Sequence, residues 1–137
     1  MSEAVKEVPK KERPQFTNIH VTQLSNYRLP LAGVVSILHR ISGFAMFALL
    51  PFALYLLQES LTSETTYKAL AGFFEAPLVK LVALGLIWAY LQHFCAGIRH
   101  LVMDMHIGLN KDSARKSATA VLVVSLALTA LIAYKLF

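Results

Sequence analysis

Three long runs of this chain contain no Asp, Glu, Lys or Arg: residues 41–58, 81–98 and 117–134, each of eighteen residues. An α-helix rises about 1.5 Å per residue, so each run, with a flanking turn added, crosses a hydrocarbon core of about 30 Å. Composition agrees, since 56% of the 137 residues are hydrophobic, 15% are charged, and the charges gather at the ends and between the runs. That balance belongs to a membrane protein and not to a soluble domain. The expected fold is all-α, with three transmembrane helices near residues 30–58, 77–105 and 114–136. Residues 1–29 form a separate N-terminal segment ahead of the anchor domain at 30–137.

The first span is predicted to begin near Pro30, because residues 31–38 are also apolar and only His39 and Arg40 interrupt them. Proline suits a first helical turn, where its missing N–H is not needed. Pro51 lies deeper and is expected to kink the helix, which membrane helices tolerate when neighbours satisfy the freed carbonyl. At the amino terminus, Glu3, Glu7 and Glu12 interleave with Lys6, Lys10, Lys11 and Arg13. This pattern fits neither a secretory signal nor an acid-poor mitochondrial presequence, and predicts an unprocessed bacterial chain. The one cysteine, Cys95, falls within the second span and reads as a small packing residue. There is no Cys-x-x-Cys-His motif for covalent heme attachment.

Loop charges predict the orientation. Lys6, Lys10, Lys11, Arg13 and Arg28 precede the first span, and Lys111, Arg115 and Lys116 precede the third. The connection between spans one and two carries Glu59, Glu64 and Glu75 against Lys68, with Lys80 just inside the next helix. Under the positive-inside rule the amino terminus is cytoplasmic and the carboxyl terminus lies outside. Within the outer connection, Tyr67, Leu70 and Phe74 recur at i, i+3 and i+7, consistent with a short interfacial helix or with an irregular loop carrying aromatic anchors. Residues 1–29, with Pro9, Pro14 and mixed charge, are expected to be extended or irregular and long enough to dock on a soluble partner.

Ionisable groups inside a membrane helix cost several kcal/mol unless paired or hydrated, so they are functional candidates. On span one, Ser36, His39, Arg40 and Gly43 stack on one side near the cytoplasmic end. Arg40 lies roughly 15 Å beyond Pro30 along the helix, and either serves a site there or snorkels to the surface. On span two, His93 and His100 are seven residues apart and return to nearly the same face about 10 Å further along. They share it with Gly85, Ala89 and Gly97, which either admit a large flat group or pack another helix. A b-type heme needs an imidazole inside the bundle and polar or cationic groups nearer water for its propionates. With His93 the deeper histidine and His100 nearer the cytoplasm, the spacing fits a ligand and a propionate partner. Arg99 and Asp104 read either as interfacial charges or as contacts to soluble subunits; His20 and His106 receive no role.

Arg13-Pro14, the run Ser36-Ile-Leu-His39-Arg40-Ile-Ser42-Gly43, and His93-x3-Gly97-Ile98-Arg99-His100-Leu-x2-Asp104 together resemble the cytochrome b subunit of succinate dehydrogenase. Length, three spans and motif positions all fit; where that family often has Ser-Pro-His, residues 15–18 read QFTN. The resemblance implies one half of a heme-binding bundle in a bacterial inner membrane, with a periplasmic carboxyl terminus. Its implied partners are a second hydrophobic anchor subunit, an iron–sulfur subunit, a flavoprotein subunit and the lipid bilayer, with no nucleic acid. Heme b is the implied cofactor and ubiquinone the substrate. By motif position, His93 is the implied axial ligand, with the other from the partner subunit. Ser36 and Arg40 are the implied quinone-site residues, while His39, His100 and Arg40 neighbour the heme. A hydroxyl can bond a quinone carbonyl, and a nearby cation stabilises negative charge that develops on it. The competing readings are a fumarate reductase anchor, which runs related chemistry in reverse, and a cofactor-free structural or assembly subunit. Three helices without an internal repeat give little basis for an alternating-access transporter.

Overall fold

The computed structural model describes His20, Thr22 and residues 28–137; the Arg-Pro pair, the QFTN stretch and nearly all of the N-terminal segment lie outside the described residues. Four helices follow: α1 (Leu31–Thr62), α2 (Glu64–Glu75), α3 (Pro77–Asp104) and α4 (Lys111–Leu136). Of these, α1, α3 and α4 are long and apolar enough to cross a membrane.

Helix ends are set by caps more than by where charge begins. Pro30 stands just before α1, in extended backbone at φ −65° and ψ 151°, so it caps the first turn instead of occupying it. Its carbonyl accepts from the N–H groups of Gly33 and Val34. Pro51 lies within α1, which continues to Thr62, past the end expected near Gln58. There Ser60 and Thr62 donate their hydroxyls to the carbonyls of Leu57 and Gln58, turning both side chains back onto their own helix. Similarly, α4 starts three residues earlier than expected, because the Asn110 side chain accepts the Ser113 N–H at 2.8 Å. At the end of α3, His106 takes the left-handed conformation, φ 62°, usually left to glycine.

The connection between α1 and α3 is a helix and not an irregular loop. Ser63 and Thr66 form a reciprocal capping box at the start of α2. The Thr66 hydroxyl also donates to the Glu59 carbonyl at 2.7 Å, tying α2 to the end of α1. Tyr67, Leu70 and Phe74 share one face, which lines a groove with Leu56 and Ser60 of α1.

The three long helices touch one another in every pairing. Their tightest packing is Val35, Ala96, Ala118 and Val121, all buried, with Leu31, Ala32, Cys95 and Leu122 against them. These residues come from the beginnings of α1 and α4 and the later part of α3. The bundle is therefore zipped at one end by small residues that let backbones approach. Arg99 is a buried part of that end, only 7% exposed. It donates through Nε to the Ser117 hydroxyl at 2.9 Å, so it points into α4 and is not an interfacial charge. At the opposite end Lys80 Nζ donates to the Leu136 carbonyl at 3.1 Å, where a cation suits the carboxyl end of α4. Most large side chains further along α1 and α4, such as Phe47, Leu50, Val123 and Leu131, are exposed on the outside of the bundle.

Candidate functional site

Because α1 and α3 run antiparallel, their polar residues meet where the helices cross. Gly43 of α1 lies opposite His93 of α3, and His39 of α1 lies opposite Gly97 of α3. Each histidine thus occupies room that a glycine leaves on the other helix. A Cβ placed on Gly43 would come within 2.9 Å of His93 Cε1, whereas one on Gly97 would sit 3.6 Å from His39 Nε2, an ordinary contact.

This exchange stacks the two imidazoles, with ring centroids 4.0 Å apart and planes 14° from parallel. The His100 ring lies 5.1 Å from that of His39, tilted by 50°. The structure brings together all three histidines singled out in the sequence, with His39 between the two that share α3. Their nitrogens do not converge on one point, and among the described residues no group of three or more His, Cys, Asp or Glu could hold a metal ion.

The hydrogen bonds around His93 determine what its ring can do. Its Nδ1 lies 2.9 Å from the main-chain carbonyl of His39. A carbonyl only accepts, so Nδ1 carries the proton and Nε2 keeps a free lone pair. The Ser42 hydroxyl oxygen is 3.1 Å from the same Nδ1 and shares that proton. Its own proton goes to the His39 carbonyl at 3.0 Å or to Gln92 Oε1 at 3.3 Å. Gln92, 1% exposed, donates through Nε2 to the Val35 carbonyl at 3.5 Å. The result is an imidazole fixed in tautomer and orientation, offering one nitrogen to a Lewis acid.

Ser36 and Arg40 are on the same side of α1 as His39, one half-buried and the other exposed. Among the described residues neither joins the hydrogen bonds around His93. They remain open to whatever approaches from outside this chain.

The small-residue stripe of α3 is not a continuous helix contact within the chain. Gly97 meets His39, Ala89 lines an apolar groove with Ala45, Met46, Leu49, Leu50, Ala53 and Leu86, and Gly85 faces open space. Ser42 and Gln92 are the site residues that a search for ionisable groups passes over. A buried, uncharged polar group also needs a partner in an apolar span, so a Gln within residues 81–98 was the available signal.

Residues 10–132 match the model of a family described as the succinate dehydrogenase/fumarate reductase transmembrane subunit. The chain is similar to succinate dehydrogenase cytochrome b556 subunits of three bacteria. That of Paracoccus denitrificans is 34% identical over 79% of this chain and 83% of the relative. That of Coxiella burnetii is 37% identical over 74% and 82%. The Rickettsia felis subunit is 31% identical over 80% and 85%.

Proposed function

The chain belongs to the succinate dehydrogenase/fumarate reductase transmembrane subunit family, and from that premise we propose that it is the cytochrome b anchor of a bacterial succinate:quinone oxidoreductase, respiratory complex II. In this reading it holds heme b through His93 and helps to form the ubiquinone-reduction site. The observation that carries it is the single free lone pair on His93 Nε2, left by the bond from Nδ1 to the His39 carbonyl.

The residues fit the group. One fixed imidazole would supply half of the ligand set of a bis-histidine heme, the other half coming from a second hydrophobic subunit. The heme, when bound, supplies a one-electron carrier within the membrane. His93 would hold the iron through Nε2, with Ser42 and the His39 carbonyl keeping it in its tautomer. His39 and His100, with Arg40 nearby, present imidazole and guanidinium groups toward propionates. Ser36 donates its hydroxyl to a quinone carbonyl, and the Arg40 cation stabilises charge as that oxygen is reduced. Electrons reach this end of the bundle from an iron–sulfur subunit that is itself fed by a flavoprotein oxidising succinate.

Docking on that side requires the ends of α1 and α4 that begin the helices to be cytoplasmic, as loop charge predicts. Single cysteines introduced at residues 111–116 are expected to be shielded from an impermeant thiol reagent in intact cells, and cysteines at residues 62–66 to react. The reverse pattern would move the docking side to the wrong face of the membrane.

The function is tested on the purified complex. A low-spin heme Soret band is expected, and its absence would leave the cofactor-free structural reading. Ser36→Ala is expected to lower quinone reduction by about two- to tenfold, the equivalent of one lost neutral hydrogen bond, and Arg40→Leu by about tenfold or more, the equivalent of one lost charge-assisted hydrogen bond. Succinate oxidation with a soluble artificial acceptor stays near native, because that route bypasses the anchor. Equal loss of both activities would mean failed assembly and not a damaged quinone site.

A further inference from the structure

The hydrogen bonds behind His93 reach beyond the ligand itself. Ser42 is 5% exposed and Gln92 1%, so both are sealed between α1 and α3 and neither can contact a quinone or the aqueous phase. A serine in a membrane helix needs no such arrangement for its own satisfaction. Ser125 donates to the Leu122 carbonyl within its own helix. Ser42 also has this option in the His39 carbonyl at 3.0 Å, yet its oxygen lies 3.1 Å from His93 Nδ1 and 3.3 Å from Gln92 Oε1.

The geometry points to Ser42 as a positioning residue that sets the orientation and basicity of His93, with Gln92 orienting Ser42 in turn. Two oxygens, one from the main chain and one from Ser42, lie beside the Nδ1–H. With only the carbonyl, the ring retains freedom to rotate about that one contact; with the Ser42 oxygen beside it, 3.0 Å from the carbonyl oxygen and 3.1 Å from Nδ1, a second contact restrains its plane. Acceptors on Nδ1–H also push electron density toward Nε2 and make it the stronger donor. Gln92 keeps the hydroxyl in place by taking its proton through Oε1, while its amide donates to the Val35 carbonyl at 3.5 Å. Neither side chain touches the iron, so both act through His93. The proposal rests on His93 being the heme ligand given by this chain.

The test uses the assembled complex and reads the heme, not turnover. Ser42→Ala is expected to keep a full complement of low-spin heme per flavin. Its largest electron paramagnetic g-value is expected to shift, since that value follows the plane of the axial ring, and its midpoint potential to rise, because a less basic ligand stabilises ferric iron less. Gln92→Leu is expected to shift both in the same direction by a smaller amount, and Ser42→Thr, which keeps the hydroxyl, to return toward native values. Ser42→Ala with native g-value and native potential would overturn the proposal. So would loss of the subunit from the membrane together with its heme, which is what a residue needed only for packing would cause. Failure of the underlying reading is separately visible: His93→Ala would then retain the native heme spectrum whatever Ser42 does.

Discussion

His93→Ala is expected to abolish the low-spin heme spectrum of the assembled complex, whereas His39→Ala is expected to retain it with a shifted potential or looser binding. Depth does not separate the two, because each lies about ten residues from the same end of the bundle. Their surroundings do. The His93 ring is turned so that Nδ1 is held by a carbonyl and Cε1 lies against Gly43, which leaves Nε2 as its free nitrogen. In His39 the atom nearest Gly97 is Nε2 itself, so that nitrogen is turned toward the α3 backbone. Arg40 beside His39 would also oppose the positive charge of ferric iron, while suiting a propionate. Removing one of two axial ligands converts a low-spin heme to a high-spin or empty site, which absorption spectroscopy reads directly. An unchanged spectrum in His93→Ala, with loss in His39→Ala, would exchange the two assignments.

A second large effect is expected from a single methyl group. Gly43→Ala would place Cβ 2.9 Å from His93 Cε1 and 3.4 Å from Nδ1, closer than the ring can accept without moving. The ring cannot retreat freely, because its Nδ1–H is bonded to the His39 carbonyl four residues before that glycine. Overpacking of this kind costs about 1–3 kcal/mol, which corresponds to a fall in heme affinity between about fivefold and about 150-fold. Intrinsic helix propensity runs the other way, favouring alanine over glycine by about 1 kcal/mol. A loss would therefore report the contact and not a weakened helix. Gly97→Ala is the control, since its Cβ would meet His39 Nε2 at a comfortable 3.6 Å and heme content is expected to stay near native. The heme-to-flavin ratio of the two purified complexes measures both. Equal ratios would refute the steric account.

The spans were legible because absence of charge over eighteen residues is a one-dimensional signal, and an apolar helix in a bilayer needs little else. The order of the helices follows from their length and from connections too short to do anything but reverse the chain. Helix ends were less legible: the Ser63–Thr66 capping box and the Asn110 cap start helices through local hydrogen bonds that hydrophobicity does not register. The histidines could be placed on faces by helical spacing, but their meeting depends on the register between α1 and α3. Periodicity within one helix carries no information about that register. Arg99 illustrates the same gap, since its place near the end of α3 suggested either an interfacial charge or a contact to soluble subunits, and only the neighbouring α4 reveals Ser117 as its acceptor.

The acceptor that fixes the tautomer of His93 is a peptide oxygen, not a side chain. No codon change at position 39 can delete that atom. Whatever residue stands there, the oxygen persists wherever α1 stays helical and crosses α3 at Gly43, so this part of the site is inherited with the backbone. Point mutation can strip away the stacked imidazole of His39 and still leave the proton on Nδ1. Abolishing the bond takes a change in the helix itself, such as inserting one residue between positions 39 and 43, which rotates the carbonyl about 100° around the axis.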